Sequence, residues 1–187
     1  MNTPRTLWRS EEISLRLGML DLCEVWALRA LACSLPEEPV AVNIGAGVGT
    51  SGLAFLESRP DLQLVTVDCH DESHPRGCLQ SEREAFAEAG FADSGRYQQI
   101  HGSSEAVGAE WLGGPVDMVL IDGLHTYEQT RADILAWYPN IKPEGIIAMH
   151  DYDNDNRVTL AVDELYSMEA RILLVRFLVA FRAWEIQ

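Results

Sequence analysis

Past residue 38 the chain alternates between short apolar runs and stretches with helical spacing. Val40-Ala41-Val42-Asn43-Ile44 reads as a strand ending at Gly45, and a helix is predicted from about Thr50 to Ser58. Leu62–Val67 predicts a second strand running into Asp68, and Tyr97–Ile100 a short third. Val116–Ile121 predicts a fourth, and Gly145–Met149 a fifth that runs into His150-Asp151. Helices are expected near Glu82–Ala89, Glu105–Trp111 and Thr126–Tyr138, with Pro139 and Pro143 as breakers and polar Asp71–Gln80 as a loop. Strands alternating with helices imply βαβ units and a mostly parallel sheet. Such sheets bind ligands at the carboxyl ends of their strands. Gly45, Asp68, Ser103, Asp122 and His150-Asp151 all fall at such ends.

The two termini read differently. Ser10, followed by Glu11 and Glu12, is a good helix start, and Ile13, Leu17, Leu20, Leu28 and Leu31 continue one amphipathic helix until Pro36. This helix is expected to pack on the sheet edge, with a lid or dimer element as the alternative. Ile172–Phe181 is apolar enough for two final strands but has no Gly, Pro, Asn or Asp for a hairpin turn. Two strands, one strand or a helix stay open there. The expectation is a single domain over 1–187, with a helical extension over 1–38 and an α/β core over 39–187.

Composition narrows the partners. A chain of 187 residues with 47% apolar positions suits one buried core. Lys and Arg number 14 against 29 Asp and Glu, a net charge of −15 that repels phosphate backbones and anionic membranes. A small molecule is the expected partner, with no nucleic acid and no membrane. Cys23, Cys33, Cys69 and Cys78 lack C-x-x-C spacing, and Cys23 and Cys33 are expected to be buried thiols in a reducing compartment. The first twelve residues turn acidic where a signal peptide needs an apolar run. Arg16, Asp21, Glu24 and Arg29 interrupt the only long apolar stretch. The expected location is cytoplasmic.

The first strand opens into the turn Gly45-Ala46-Gly47-Val48-Gly49. Glycines there allow backbone to approach a ligand, and the next helix offers free N–H groups. Asp68 ends the following strand, where a carboxylate can accept both ribose hydroxyls. Together they point to nucleoside binding. Gly47-Val48-Gly49-Thr50-Ser51-Gly52 matches the dinucleotide fingerprint literally, but two residues too late after the strand. Register from the strand favours S-adenosylmethionine (SAM) over NAD and leaves NAD open.

The stretch 117–152, with D-G-x-H-x-Y, then K-P-x-G and H-D, resembles class I SAM-dependent methyltransferases. It is most similar to the branch holding macrocin-type O-methyltransferases and cephalosporin-hydroxylase-like proteins. The resemblance spans about Val40 to Asp155. It implies a Rossmann-like, doubly wound, mostly parallel seven-stranded sheet with helices on both faces and an antiparallel last strand. It also implies a cofactor site drawn from Asn43, Gly45, Ala46, Gly47, Gly49, Thr50, Asp68, Cys69, Ser103 and Asp122. The glycines would lie against the methionine part of SAM, Asp68 would hold the ribose and Ser103 would approach the adenine. Asn43 replaces the usual acid of the first motif, and Glu144 the usual second glycine of K-P-G-G, so the turn before the fifth strand is expected to differ.

Metal-using members hold a divalent cation through an acid after strand four and an acidic pair after strand five. The matching positions are Asp122, His150 and Asp151. Imidazole in place of one carboxylate suits Zn, Fe or Ni better than Mg²⁺. His125, three residues past Asp122, could face the same cleft and deprotonate a substrate hydroxyl, so His125 and Asp122 form the candidate catalytic set. His70, His74, Cys69 and Cys78 fit no zinc spacing. The expected activity is O-methylation of a small-molecule hydroxyl with SAM; a divalent metal (Mg or a transition metal), another role for His150 and no metal at all stay open. The acceptor pocket would be open or completed by a second copy, a homo-oligomer. The rivals are an NAD-dependent oxidoreductase, a family member doing oxidative chemistry and a degenerate SAM-binding scaffold.

Overall fold

The computed structural model describes residues 6–17, 20–70, 79–152 and 155–168. Five strands make one sheet: β1 (Val40–Ile44), β2 (Gln63–Asp68), β3 (Tyr97–His101), β4 (Val116–Ile121) and β5 (Ile141–Met149). They lie in the order β3-β2-β1-β4-β5, and every pairing is parallel. The winding direction reverses between β1 and β4, which opens a crevice at their carboxyl ends. The helices are α1 (Arg9–Leu17), α2 (Leu22–Cys33), α3 (Thr50–Ser58), α4 (Leu79–Glu88), α5 (Ser104–Ala109), α6 (Tyr127–Trp137) and α7 (Asn156–Met168).

Period-two alternation divides the strand residues between two cores. Ala41, Leu64, Met118, Leu120, Ile146 and Ala148 pack with Ile13, Leu28, Leu53 and Phe86, from α1 to α4. Val42, Ile44, Val65, Val67, Val119, Ile121, Ile147 and Met149 pack with Ile134, Trp137, Val158 and Val162, from α6 and α7. This is the doubly wound, Rossmann-like arrangement. Every residue of β4 is buried, which explains its unbroken apolar run. Each such fully buried Val, Leu, Ile or Met side chain contributes about 1.5–3 kcal/mol.

The structure corrects several expectations. Among the described residues the sheet has five strands rather than seven, and Ile172–Phe181, assigned to the last two, lies outside them. The N-terminal helix is two helices, because Asp21 and Glu24 restart it: Glu24 Oε2 accepts the Asp21 N–H at 2.7 Å. Cys23 and Cys33 are exposed, not buried, since α2 turns Val25, Leu28 and Ala32 inward instead. Of the expected loop Asp71–Gln80, residues 79 and 80 begin α4 and the rest lies outside the described residues. Pro143 does not end a helix but sits within β5, where the register shifts from Val116↔Ile141 to Met118↔Ile146. In that irregularity Glu144 takes φ +66, a left-handed conformation that a glycine would adopt without strain.

Both N-terminal helices pack on α3. Glu57 of α3 receives the Ser10 N–H at 3.2 Å, a hydrogen bond from Ser10 Oγ and an ion pair from Arg29 at 3.3 Å. The Arg29 guanidinium also stacks 4.7 Å from the Trp8 ring centroid.

Candidate functional site

The parallel ladder continues past the strands and sets their ends level. Gly45 N–H donates to Val67 O at 2.9 Å, Asp122 N–H to Ile44 O at 2.9 Å and His150 N–H to Ile121 O at 3.0 Å. Gly102 N–H donates to Asp68 O at 3.0 Å on the other side. Asp68, Gly45, Asp122 and His150 therefore stand in a row across the switch point. Above them opens a cavity of about 710 Å³, within the roughly 300–1,000 Å³ common for small-molecule sites.

The cavity gathers most of the sequence-predicted residues: Gly45, Ala46, Gly47, Thr50, Asp68, Cys69, Ser103, Asp122, His125, His150 and Asp151. Asn43 and Gly49 are not on its wall. Asn43 is fully buried in β1 and donates through Nδ2 to Ser51 Oγ at 2.9 Å, so it supports the lining one layer below. Gly49, with φ +89, caps α3 where a Cβ would lie 2.6 Å from the Phe86 ring. Its small size lets α4 close on the turn. Leu20, Ser104, Gln129 and Asp133 also line the cavity and were not foreseen. Gln129 and Asp133 were legible in principle as α6 positions four apart, joined by a 2.8 Å hydrogen bond.

Asp68 is poised as an acceptor. Its Oδ2 takes the Gly47 N–H at 2.9 Å and its Oδ1 takes the His70 N–H at 2.7 Å. An ionised carboxylate has about four acceptor positions, which leaves room for hydroxyl donors. Beside it, Ser103 occupies the N-cap position of α5 without a side-chain cap bond.

At the other end lies a cluster of acids and imidazoles. His125 Nδ1 is 3.1 Å from Asp151 Oδ2 and its Nε2 is 3.4 Å from Asp122 Oδ1. His150 Nδ1 is 3.1 Å from Asp122 Oδ1 and 3.2 Å from Asp151 Oδ2. From the N-terminal extension, Glu24 Oε1 comes within 3.2 Å of His150 Nε2. Asp151 has φ +55, a strained backbone of the kind found at functional sites. Burial alone would lower the His150 imidazole, but the Asp122 and Glu24 carboxylates, with Asp151, outweigh it and push it up to about 11. Asp122 raises His125 against the opposing effect of burial. Burial would raise Asp122 itself, and the two histidines hold it below its usual value.

The donor set fits a cation. Donor atoms of Asp122, His125 and His150 lie within 4.8 Å of one another, near the spread that one ion about 2.0–2.2 Å from each ligand would bridge. The His150 nitrogens are buried at ion-pair distance from carboxylates without hydrogen-bond alignment. Mixed nitrogen and oxygen donors favour a transition metal over Mg²⁺. The other wall fits a nucleoside, because a glycine turn faces a carboxylate that still has acceptor capacity.

Comparisons with known proteins bear on the family and the fold. A curated protein of Mycobacterium sp. (strain JLS), provisionally named an O-methyltransferase, is 36% identical over 100 residues. Those residues are 53% of this chain and 43% of that protein, so the chain spans less than half the length of such relatives. A solved structure from Klebsiella pneumoniae, provisionally titled an O-methyltransferase, superposes with TM-score 0.68 at 19% identity, covering 87% of this chain and 77% of its own. The O-methyltransferase NovP superposes with TM-score 0.65 at 16% identity, covering 80% and 73%. These superpositions show the fold. No helix among the described residues is long and apolar enough to cross a membrane. With a family model described as a methyltransferase domain matching residues 42–152, from within β1 to just beyond the β5 histidine–aspartate pair, the chain belongs to that methyltransferase family.

Proposed function

We propose that this chain is a SAM-dependent O-methyltransferase acting on a small-molecule hydroxyl in the cytoplasm, with a divalent cation held beside the acceptor. The observation that carries the reading is the convergence of two chemistries in one cavity. Asp68 and the glycine turn form a nucleoside wall, and Asp122, His125, His150 and Asp151 form a polar cluster across the switch point. The provisional O-methyltransferase names of the curated relatives support the reaction class.

SAM, when bound, supplies an electrophilic methyl group on a sulfonium. The chain's own contribution is to align the acceptor oxygen with it, so positioning carries much of the rate. Asp68 would accept the ribose hydroxyls, Gly45 and Gly47 would admit the methionine portion, and Ser103 would lie by the adenine. Asp122, His150 and Asp151 would hold the cation, whose charge favours alkoxide character at the acceptor. His125 would take the acceptor proton. Its flanking carboxylates make it hold a proton more firmly, and positive charge among them counters that effect. The −15 net charge supports a small, non-nucleic acceptor.

Calorimetric titration with SAM, its demethylated product S-adenosylhomocysteine, and NAD tests this reading directly. Micromolar binding of SAM or product without NAD is the expected result. NAD binding alone would transfer the site to an oxidoreductase, and silence from all three ligands would leave a scaffold without this chemistry.

A further inference from the structure

Behind the nucleoside wall lies a buried polar network that the proposed methyl transfer does not touch. His70, two residues past the end of β2, has φ +43, a left-handed backbone rarely adopted by residues with a Cβ. Its side chain is 0% exposed, as is that of Glu82 on α4, and His70 Nε2 lies 2.9 Å from Glu82 Oε2. Glu82 is held from β3 as well: Tyr97 Oη donates to Oε1 at 2.9 Å and Gln99 Nε2 to Oε2 at 2.6 Å. Neither His70 nor Glu82 lines the cavity.

Fold stability alone is a poor reason for such a group, because apolar residues of similar volume often stabilise a core as well as a buried ionic pair. What the network fixes is a strained piece of backbone. Strained conformations persist when their surroundings over-determine them, and they gather at functional sites. Here the strain has one visible product. It turns the His70 N–H back onto Asp68 Oδ1 at 2.7 Å, while Gly47 N–H takes Oδ2 at 2.9 Å. Just before His70 the chain is tied to the end of β3: His101 Nε2 contacts Cys69 O at 2.7 Å, and Gly102 N–H donates to Asp68 O at 3.0 Å.

We propose that His70, anchored by Glu82, is a positioning residue that fixes the Asp68 carboxylate so that its remaining lone pairs face the ribose hydroxyls of the methyl donor. The inference rests on the reading of Asp68 as the nucleoside-binding acid. His70 acts through its backbone N–H, and its buried ring is the anchor that holds that N–H in place. The Glu82 carboxylate serves three partners at once. A glutamine has only one acceptor oxygen, so at least one of the three would face an amide NH2 group instead of an acceptor.

The test compares S-adenosylhomocysteine with its 2′,3′-dideoxy analogue, which lacks the hydroxyls that Asp68 would read, by calorimetry on the whole chain. Wild type should prefer the intact ribose by about tenfold or more, the scale of hydrogen bonds to a charged group, and Asp68→Ala should erase that preference. His70→Asn tolerates the left-handed backbone but cannot reach Glu82. It should cut the ribose preference at least about threefold while affinity for the dideoxy analogue stays unchanged. Glu82→Gln should do the same and stands in if His70→Asn fails to fold, with thermal melts reporting folding. Equal loss for both ligands would mark a merely structural role and overturn the proposal, as would an unchanged preference in both variants. If wild type binds both ligands equally, the assignment of Asp68 falls. If wild type binds neither, the methyl-donor reading itself fails, and the inference with it.

Discussion

A Cβ on Gly45 would lie 2.0 Å from the carbonyl oxygen of Asp122, so the first turn of the site and the acid after β4 touch through bare backbone. Gly45 also has φ +78, which a side chain disfavours. Gly45→Ala should therefore destabilise the fold by about 2–4 kcal/mol, combining overpacking with the left-handed penalty. Urea unfolding measures this. A loss below about 0.5 kcal/mol, the scale of a neutral surface substitution, would show that the β1 and β4 turns are not packed this closely.

Glu57 gives the junction of α1, α2 and α3 a pH dependence of known sign. Burial raises its carboxyl above 4.5, against the opposing effects of Ser10 and Arg29. The folded state thus holds a proton that the unfolded state has released, and stability falls as pH rises from about 4.5 through the folded value. Glu57→Gln keeps an acceptor for Ser10 and removes the titration. Over that window the wild type should lose stability relative to Glu57→Gln. Parallel stability curves across pH 4 to about 7 would contradict the assignment.

The acid–imidazole cluster should discriminate among cations. Zn²⁺, Co²⁺ or Ni²⁺ should raise the melting temperature more than Mg²⁺, because the His150 imidazole lies among the donors beside Asp122. At a hundredfold excess over the dissociation constant the gain is about 2.7 kcal/mol, reversible by a chelator. Asp122→Asn should abolish it. A shift that survives in Asp122→Asn would place the cation elsewhere, and an equal response to Mg²⁺ would remove the role given to His150.

Much of this arrangement was legible because it is local. The run Val116–Ile121 is buried at every position, and a strand covered on both faces must be apolar throughout. The glycine turn, Asp68 and the His150-Asp151 pair could be placed because each ends a strand or immediately follows one. What stayed hidden depends on contacts between distant segments. Glu24 reads as a capping residue of α2, and nothing in its neighbourhood announces an imidazole from the end of β5 at 3.2 Å. Nothing local in the sequence announces that His70 and Glu82 meet, both fully buried, with Gln99 of β3 donating to Glu82. The break between α1 and α2 was visible in principle, since Asp21 and Glu24 have capping-box spacing, but the apolar periodicity masked it. Just before α7, Asp155 accepts the Arg157 N–H at 2.9 Å.

His125 separates the chemical step from cofactor binding. Its ring is one-third exposed to the cleft, 3.1 Å from Asp151 and 3.4 Å from Asp122, and it lies across the switch point from Asp68. A residue there should matter little to nucleoside affinity and greatly to proton removal from the acceptor. His125→Ala should therefore lower kcat by about 10²–10⁴, the usual contribution of a general base, while SAM affinity stays within about threefold. His125→Gln keeps a hydrogen-bonding side chain but cannot accept and hold a proton at neutral pH, so it should not restore turnover. Recovery in His125→Gln would make the residue a hydrogen-bonding support. A loss of SAM affinity that matches the loss of kcat would move His125 from the acceptor side to the cofactor wall, leaving Asp122 as the remaining catalytic candidate.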